Sequence, residues 1–278
     1  MPTVPGFLPL LVHLMRWRNL REFGMAMIFE KTLRRKLSDV RYWTRRTTRP
    51  RVVEIDGVRL EVDYANWSAL MVDEFLRGTY EIDERRMLRG RLSGADRVLE
   101  VGSGVGLIAL VCSQTVPDAN LLLFEANPAL IDIAKRNFKI NGKDIRIENT
   151  VLTPKSFDGS EIDFHVHENF WSSSLARKDG TVETIKVKTR VFDDVVGEFA
   201  PTVLIMDIEG GEYHLLANAD ETSFASIRKI VIEMHYRYAG RENIDSLVKR
   251  FYDMGFAIDL EHSLREQLLL TKVHQESV

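Results

Sequence analysis

The stretch that decides the fold is Arg97-Val98-Leu99-Glu100-Val101-Gly102-Ser103-Gly104-Val105-Gly106. Its apolar residues are typical of a buried strand, and three glycines at alternate positions follow the acid Glu100. Glycine lets the backbone turn sharply and lets a ligand approach without meeting a Cβ, while the helix that begins behind such a turn directs free N–H groups at the ligand. The pattern therefore predicts a loop that binds a nucleotide cofactor.

The spacing of these glycines separates two kinds of cofactor. Dinucleotide-binding folds use G-x-G-x-x-G, with a pyrophosphate over the helix N-terminus. Here Gly106 comes one residue early and Leu107 occupies the position of the third glycine, which disfavours a nicotinamide cofactor. An acid two residues before G-x-G-x-G resembles the first motif of class I methyltransferases, which use S-adenosylmethionine. That resemblance implies cofactor-binding residues at Glu100, Gly102, Ser103, Gly104 and Gly106. A plain glycine-rich turn is the alternative.

A second strand followed by an acid supports the same interpretation. Leu121 to Phe124 form an apolar run suited to a strand buried on both faces, and Glu125 follows it. An acid at the tip of the second strand is the usual acceptor for the hydroxyls of a ribose. Asn127 then reads as an N-cap, with proline at the first helical position. We therefore expect Glu125, Ala126 and Asn127 to bind the cofactor, against the alternative of a solvated strand end.

Strand and helix patterns alternate along the rest of the chain. Apolar strand signals recur at 98–101, 121–124, 145–147, 203–206 and 229–232. Two half-exposed strands, 162–166 and 185–191, interrupt the series, and a pair at 256–260 and 267–273 closes it. This order predicts an α/β, Rossmann-like fold with a mostly parallel sheet and helices on both faces. Its ending resembles that of the class I methyltransferase fold, and this resemblance implies a seven-stranded sheet with an antiparallel last strand.

The chain is expected to have three parts. Residues 1–50 form a basic helical arm, residues 51–95 a small hairpin and helical lead-in, and residues 96–278 the domain that binds S-adenosylmethionine. Residues 1–51 carry twelve Lys or Arg and three acids, although the whole chain has a net charge of −3. Such an arm could bind an anionic membrane surface, an acidic carrier protein or an anionic glycolipid, or pack on its own domain or on a second subunit. No nucleic-acid motif accompanies the charge.

Composition sets the outer limits of the interpretation. A chain of 278 residues with 45% hydrophobic and 28% charged residues is ordinary for a globular protein. Its single cysteine, Cys112, excludes a disulfide within the chain, which fits a reducing compartment. The apolar run 7–15 is short and interrupted, which argues against a signal peptide or a membrane span. We expect a cytoplasmic protein, peripheral to a membrane if the arm binds one.

Four polar groups follow the two later core strands. Asp207 and Glu209 come after the strand 203–206, and Glu233 and His235 come at the end of the next strand. Ligands of open α/β sheets gather beyond the carboxyl ends of the strands, so these groups are expected to converge. They could supply oxygen and nitrogen ligands to Mg²⁺ or Mn²⁺. Because no ligand spacing rule supports that interpretation, a divalent metal is possible but not favoured.

Five segments together resemble the FkbM family of methyltransferases and keep that family's order. They are Val-Leu-Glu-Val-Gly-Ser-Gly-Val-Gly at 98–106, Phe-Glu-Ala-Asn-Pro at 124–128, Trp-Ser-Ser-Ser-Leu at 171–175, Met-Asp-Ile-Glu-Gly-Gly-Glu at 206–212 and Ile-Glu-Met-His at 232–235. The sequence departs from the family at Ile205, where lysine is common, at Ser103, where alanine is common, and at Gly104, where asparagine is common. The resemblance implies methyl transfer from S-adenosylmethionine to an oxygen of a sugar, polyketide, glycolipid or similar secondary metabolite.

The reaction that the resemblance implies suggests roles for the polar residues at the strand ends. An alcohol attacks the methyl group in line, so the protein must align both reactants and accept the hydroxyl proton. The candidate catalytic residues are Asp207, then His235, with Glu209 beside them. Glu209 and Glu212 could instead cap or brace the turn that opens the next helix, where acids suit the helix dipole, and for Glu212 this structural role is at least as favoured as a catalytic one. Tyr80 and Glu81 are candidate cofactor-binding residues. They and Trp171 to Ser174 are candidate lid or pocket residues by position, and ordinary packing is the alternative.

Other functions remain open at this stage. The sequence indicates a methyl-donor site more clearly than an acceptor site, so N-methylation or carboxyl methylation is an alternative to O-methylation. A non-catalytic module that keeps the cofactor fold and recruits an anionic partner through the arm is a third possibility. The expected partner is a small-molecule or glycan acceptor, and a homo-oligomer is possible.

Overall fold

The computed structural model describes residues 25–167, 175 and 180–273. The chain divides into two units, residues 1–50 and 51–278. In the first unit, helix α1 spans Met25–Thr48. Within α1, Arg46 donates a hydrogen bond to the Tyr42 hydroxyl at 2.7 Å. Among the helices that the structure describes, none has the length and hydropathy that a membrane span requires.

The second unit contains the remaining described elements. Its strands are β1 Val52–Ile55, β2 Val58–Glu61, β3 Val98–Val101, β4 Leu121–Glu125, β5 Arg146–Asn149, β6 Val151–Thr153, β7 Glu161–His167, β8 Thr181–Val191, β9 Val203–Met206, β10 Lys229–Glu233, β11 Phe256–Ile258 and β12 Gln267–Lys272. Its helices are α2 Ala69–Arg77, α3 Ile82–Leu88, α4 Leu107–Cys112, α5 Pro128–Ile140, α6 Phe192–Phe199, α7 Glu212–Leu216, α8 Tyr236–Ala239 and α9 Arg241–Asp253, with 3₁₀ turns at Asp118–Asn120 and Glu221–Phe224.

A seven-stranded sheet organises this unit. The strand order is β11-β12-β10-β9-β3-β4-β5. The pairs from β10 to β5 are parallel, whereas β12 runs antiparallel to both β10 and β11. The predicted α/β, Rossmann-like fold with an antiparallel last strand is therefore confirmed. Its parallel strands place their carboxyl ends, and the loops that follow them, at one edge of the sheet.

Burial on both faces explains the apolar strand sequences. Every residue of β3, β4 and β9 is buried. One hydrophobic cluster includes the strand residues Leu99, Phe124, Leu204 and Ile230. Side chains of helices α6, α7 and α9 pack in the same cluster. Strands covered on both sides cannot alternate polar and apolar residues, so they read as continuous apolar runs.

Local signals fix several element boundaries as the sequence predicts. Asn127 accepts a hydrogen bond from the Ala129 N–H at 3.0 Å and caps α5, whose first residue is Pro128. Asp56 and Gly57 both have positive φ in the turn that joins β1 to β2. The third core strand spans 146–149, slightly later than the predicted 145–147.

The two half-exposed strands form a sheet of their own. Strand β8 pairs parallel with β6 and antiparallel with β7, giving the order β6-β8-β7. Val151, Phe164 and Val187 form a small buried cluster there, on which Ala126 packs. This three-stranded sheet therefore lies beside the loop that follows β4.

Gly102 should tolerate no side chain. A Cβ at Gly102 would lie 1.8 Å from the Asp207 carbonyl oxygen, and its φ is +88°. We expect Gly102→Ala to lower the free energy of unfolding by at least about 3 kcal/mol, because strain at positive φ adds to a backbone clash. Gly142→Ala is the matched control: its φ is +67° with no atom within 4 Å, and its cost should be about 1 kcal/mol. Urea denaturation measures both, and equal losses would contradict the clash.

Candidate active site

A cavity of about 420 Å³ opens at the carboxyl edge of the main sheet. Its floor is made by the ends of β3 and β4 and by the loop after β9. Lining residues include Gly102, Gly104, Glu125, Asp207 and Ile208. The three-stranded sheet and the loop between β6 and β7 contribute an apolar wall, formed by Leu152, Phe157, Ile162 and Phe164. The cavity therefore joins a polar end near the glycine turn to an apolar end.

The glycine turn brings two backbone segments into direct contact. The Asp207 N–H donates to the Val101 carbonyl at 3.1 Å, and Gly102 leaves no room for a side chain between them. At Gly104 a Cβ would lie 3.3 Å from the Tyr80 hydroxyl. Gly102 thus lets the loop after β9 pack directly on the turn, and Gly104 lets the Tyr80 hydroxyl approach it.

Glu125 closes the turn from the neighbouring strand. Its Oε2 accepts from the Gly104 N–H and its Oε1 from the Asn127 N–H, both at 2.8 Å. Burial raises the pKa of this carboxyl to about 7, and the hydrogen bonds from Asn127 and Gly104 limit the rise. A carboxylate can accept about four hydrogen bonds. Glu125 therefore retains the capacity to accept bonds from ligand hydroxyls while it holds the turn.

Tyr80 and Glu81 cover the turn from the lead-in helices. Tyr80 stacks on Phe75, with ring centroids 4.7 Å apart. Glu81 has positive φ at the start of α3. Burial is the main cause that raises the pKa of its carboxyl to about 8, and the charge of Glu84 adds to the rise. Glu81 Oε2 is buried without a hydrogen-bond partner among the described residues. An unpartnered buried carboxylate oxygen is costly, so this atom is suited to receive a cationic or hydrogen-bonding ligand.

Four of the predicted cofactor residues do not line the cavity. Gly106 lies against α5, where a Cβ would be 2.6 Å from the Phe138 ring. Asn127 caps α5. Ser103 is buried, and its Oγ has no hydrogen-bond partner among the described residues. Their cofactor role stays a prediction.

Glu100 is the fourth of these residues. It is buried on β3, and one of its oxygens, Oε2, has no hydrogen-bond partner among the described residues. Burial, followed by the charges of Glu81 and Glu125, raises its pKa well above the usual range. Glu100 is therefore close to two of the carboxylates that line the cavity, Glu81 and Glu125, although it does not line the cavity itself.

His235 is held by an acid at the start of α7. Its Nδ1 donates to Glu212 Oε1 at 2.8 Å, and the same oxygen accepts from the Ile208 and Gly210 N–H groups at 3.1 Å. Glu212 is completely buried. Burial lowers the pKa of His235, but the bond to Glu212 and the charges of Glu212 and Asp207 outweigh it and raise the pKa to about 9. Glu212 thus braces the loop, in the place where the sequence predicts a brace, and also fixes the imidazole.

The predicted convergence of acids is present. His235 Nε2 lies 3.8 Å from Asp207 Oδ1, 3.8 Å from Glu209 Oε2 and 3.9 Å from Glu233 Oε1. Burial, followed by the charge of Glu233, raises the pKa of Asp207 well above the usual range. Asp207, Glu233 and His235 can each direct one ligand atom to a common point, since these atoms all lie within 4.8 Å of one another.

A second cavity of about 460 Å³ adjoins the first and is also lined by Asp207. It shares Tyr80, Glu81, Asp207 and Glu209 with the first. Its remaining described lining includes four further acids, Glu74, Asp83, Glu84 and Glu233. Asp207 therefore lines both the cavity that contains the glycine turn and the strongly acidic one, as Tyr80, Glu81 and Glu209 do.

Sequence reasoning missed several residues of the site. Glu84 and Gln267 line the acidic cavity, and Gln267 Nε2 donates to Glu84 Oε1 at 2.6 Å and to Glu233 Oε2 at 3.3 Å. No sequence signal links residues 183 positions apart. Thr150 and Phe157 line the first cavity, and only the position of Thr150 after the third core strand gave a hint. The predicted pocket residues Trp171 to Ser174 lie outside the described residues, although Leu175 does line the cavity.

Comparison with known proteins gives one family match. The family model described as the Methyltransferase FkbM domain matches residues 101–260. Methyltransferase sdnD of Sordaria araneosa is 23% identical over 195 residues, which are 58% of this chain and 73% of that protein. The tRNA1(Val) (adenine(37)-N6)-methyltransferase of Flavobacteriaceae bacterium (strain 3519-10) is 40% identical over 47 residues, 17% of this chain and 20% of that enzyme.

Solved structures give a weaker likeness. The crystal structure of Methyltransferase FkbM from Methylobacillus flagellatus KT has a TM-score of 0.44 and 14% identity. The match covers 74% of this chain and 56% of that chain. This chain therefore spans only about half the length of that structure.

Stability should fall as pH rises. The protonated form of His235 stabilises the fold fully below its ordinary pKa of 6.5, and this contribution is lost as pH rises through about 9. Glu125 and Glu81, with pKa values of about 7 and about 8 against an ordinary 4.5, penalise the fold once they ionise. Each of the three groups has a higher pKa in the folded protein than in the unfolded chain. The folded state therefore binds more protons over this range, and the free energy of unfolding falls as pH rises.

We expect this decline in the cofactor-free protein between about pH 5 and about pH 9. Urea denaturation followed by circular dichroism at several pH values measures it. Glu125→Gln should flatten the decline below about pH 7, because the amide does not titrate. A constant or rising stability over this range would show that these groups titrate at ordinary values.

Proposed function

The chain belongs to the FkbM methyltransferase family, and on this premise we propose that it methylates a hydroxyl oxygen of a small polar acceptor such as a sugar, a glycolipid or a secondary metabolite. As a member, it is an S-adenosylmethionine-dependent methyltransferase. The family membership leaves open which atom receives the methyl group and which molecule carries that atom. The observation that carries the proposal is the position of Asp207, which lines both the cavity with the glycine turn and the acidic cavity.

The polar end of the first cavity fits S-adenosylmethionine. Gly102 and Gly104 have positive φ and leave the turn free of side chains. Glu125 can accept the two hydroxyls of a ribose. The unpartnered oxygen of Glu81 lies beside the turn, where it could accept from the amino group of the cofactor. The apolar wall formed by Leu152 and its neighbours offers a surface for a purine ring.

When bound, S-adenosylmethionine supplies an electrophilic methyl group on a sulfonium. The protein must align an acceptor hydroxyl with that methyl group and take up its proton. Asp207 lies where an acceptor in the second cavity would approach a donor in the first. In its ionised form, beside the His235 imidazolium, a carboxylate whose pKa burial has raised is a stronger base than an ordinary one. We therefore assign proton transfer to Asp207, with Glu209 beside it.

His235 is better suited to supply a positive charge than to act as a base. With a pKa of about 9, it is protonated at neutral pH and cannot accept a proton. It instead offsets the negative charges of Asp207, Glu209 and Glu233. An acid-rich lining repels phosphates, which supports a neutral or cationic small acceptor rather than a polynucleotide. Cationic acceptors would include amines, so N-methylation is the alternative that an acceptor screen must test.

Binding of the cofactor should depend on Glu125. Calorimetric titration of the full chain with S-adenosylmethionine is expected to give saturable binding, and Glu125→Ala should weaken it at least tenfold, or about 1.4 kcal/mol. Glu125→Gln should weaken it less, because the amide oxygen still accepts one hydrogen bond. Exposed Glu242 provides the control, and Glu242→Ala should bind as the wild type does. Binding of NADH instead, or of neither ligand, would contradict the assignment.

Loss of the Asp207 carboxylate should affect turnover rather than cofactor binding. Asp207→Asn keeps the shape of the side chain and removes the base, so kcat should fall by a factor of about 100 or more. The dissociation constant for S-adenosylmethionine should change less than about threefold, since Asp207 is not assigned to that ligand. A screen of polyols, glycans and amines with a radioactive methyl donor measures turnover. Full activity of Asp207→Asn on its best acceptor would refute the role.

A further inference from the structure

We propose that Asp207, Glu233 and His235, with Glu209 beside them, form a binding site for one divalent cation of the Mn²⁺ type. The four side chains come from the carboxyl ends of the neighbouring strands β9 and β10 and from the loop after β9. Their ligand atoms surround His235 Nε2 at 3.8–3.9 Å. The site lies at the boundary of the acidic cavity, which Asp207, Glu209 and Glu233 line.

The distances suit a shared cation better than direct hydrogen bonds. Hydrogen bonds from nitrogen to oxygen are about 2.7–3.2 Å long, so separations of 3.8–3.9 Å are too long for them. Ligand atoms that are each about 2.1 Å from one ion lie about 3 Å apart when adjacent and about 4 Å apart when opposite. Only one of the three oxygens can lie opposite Nε2 on a single ion, so the other two would each move about 0.8 Å closer to Nε2 when a cation binds. The cation would replace the Nε2 proton of His235 and bring three negative groups and one imidazole into coordination.

The surroundings of His235 match those of a metal-binding histidine. Such a histidine commonly donates its other ring N–H to a carboxylate, which fixes the ring and its tautomer. Here Nδ1 donates to Glu212 Oε1 at 2.8 Å, and this leaves Nε2 to face the three carboxylates. Glu212 is itself completely buried and held by the backbone N–H groups of Ile208 and Gly210. The imidazole is therefore positioned before any ligand arrives.

Two buried oxygens at this site lack a hydrogen-bond donor. Asp207 Oδ1, the atom nearest His235 Nε2, is buried without a hydrogen-bond partner, although 36% of the side chain is exposed. Glu84 is only 7% exposed and lines the same cavity, and its Oε2 also has no partner among the described residues. Buried oxygens of this kind are rare unless a ligand, ion or water satisfies them. Gln267 meanwhile holds Glu233 Oε2 at 3.3 Å.

The donor set selects the class of cation. Carboxylate oxygens suit Mg²⁺, Ca²⁺ and Mn²⁺, whereas imidazole nitrogen suits transition metals. Mn²⁺ accepts both kinds of ligand. On the proposed function, on which this role rests, a cation beside Asp207 would bind the acceptor hydroxyl and lower its pKa next to the methyl donor. Cation binding itself does not require that function.

Direct binding of Mn²⁺ tests the site. The full chain is treated with a chelator, freed of it, and titrated with Mn²⁺ in the absence of S-adenosylmethionine, while electron paramagnetic resonance measures the free ion. One tightly bound ion per chain is expected. Glu233→Gln and Asp207→Asn should each raise the dissociation constant at least tenfold, because each removes one charged ligand. Circular dichroism verifies that each variant is folded.

Glu74→Gln is the matched control, since Glu74 lines the same acidic cavity without contributing a ligand atom. It should change the dissociation constant less than about twofold. No saturable binding by the wild type would overturn the proposal, as would equal weakening by Glu74→Gln and Glu233→Gln, which would indicate diffuse attraction to an acidic surface. Titration with S-adenosylmethionine in the presence of a chelator tests the methyl-donor site separately. Cofactor binding without Mn²⁺ binding would refute the cation site alone.

Discussion

The close approach of two backbone segments is the constraint on which the rest of the site depends. Gly102 follows β3 and Asp207 follows β9, and the Asp207 N–H donates to the Val101 carbonyl at 3.1 Å. Because a Cβ at Gly102 would lie 1.8 Å from the Asp207 carbonyl oxygen, only glycine permits this contact. It places the glycine turn against the loop that carries the acids. The proposed donor and acceptor sides of the reaction therefore meet at this contact.

Buried charge gives this contact its chemical character. Glu125 holds the glycine turn through backbone N–H groups, and Glu212 holds the neighbouring loop in the same way. Both are acids that satisfy backbone donors, so each stabilises local structure as well as shaping a binding surface. Around Asp207, the acids outnumber the single imidazole of His235. An environment of this kind favours ligands that bring positive charge, as a sulfonium does.

Local physics made much of the architecture predictable. The continuous apolar runs of β3, β4 and β9 mark strands buried on both faces, Asn127-Pro128 marks a helix start, and Asp56-Gly57 marks a hairpin turn. Each of these signals depends on a few adjacent residues, so it can be recognised without the tertiary structure. The antiparallel β12 was predictable from the order of the closing strands. The third core strand was displaced slightly, because its residues are only partly buried and its apolar signal is weak.

The sequence by itself determined the family, the parallel sheet, the glycine turn and the convergence of Asp207, Glu209, Glu233 and His235, because each follows from short motifs at strand ends. Only the tertiary structure decided which of those groups touch. It directed Gly106 toward Phe138 instead of the cavity, and it placed Glu84 and Gln267 beside Glu233. Such contacts join residues far apart in the chain. They depend on how helices and strands pack in three dimensions, which no local pattern of residues encodes.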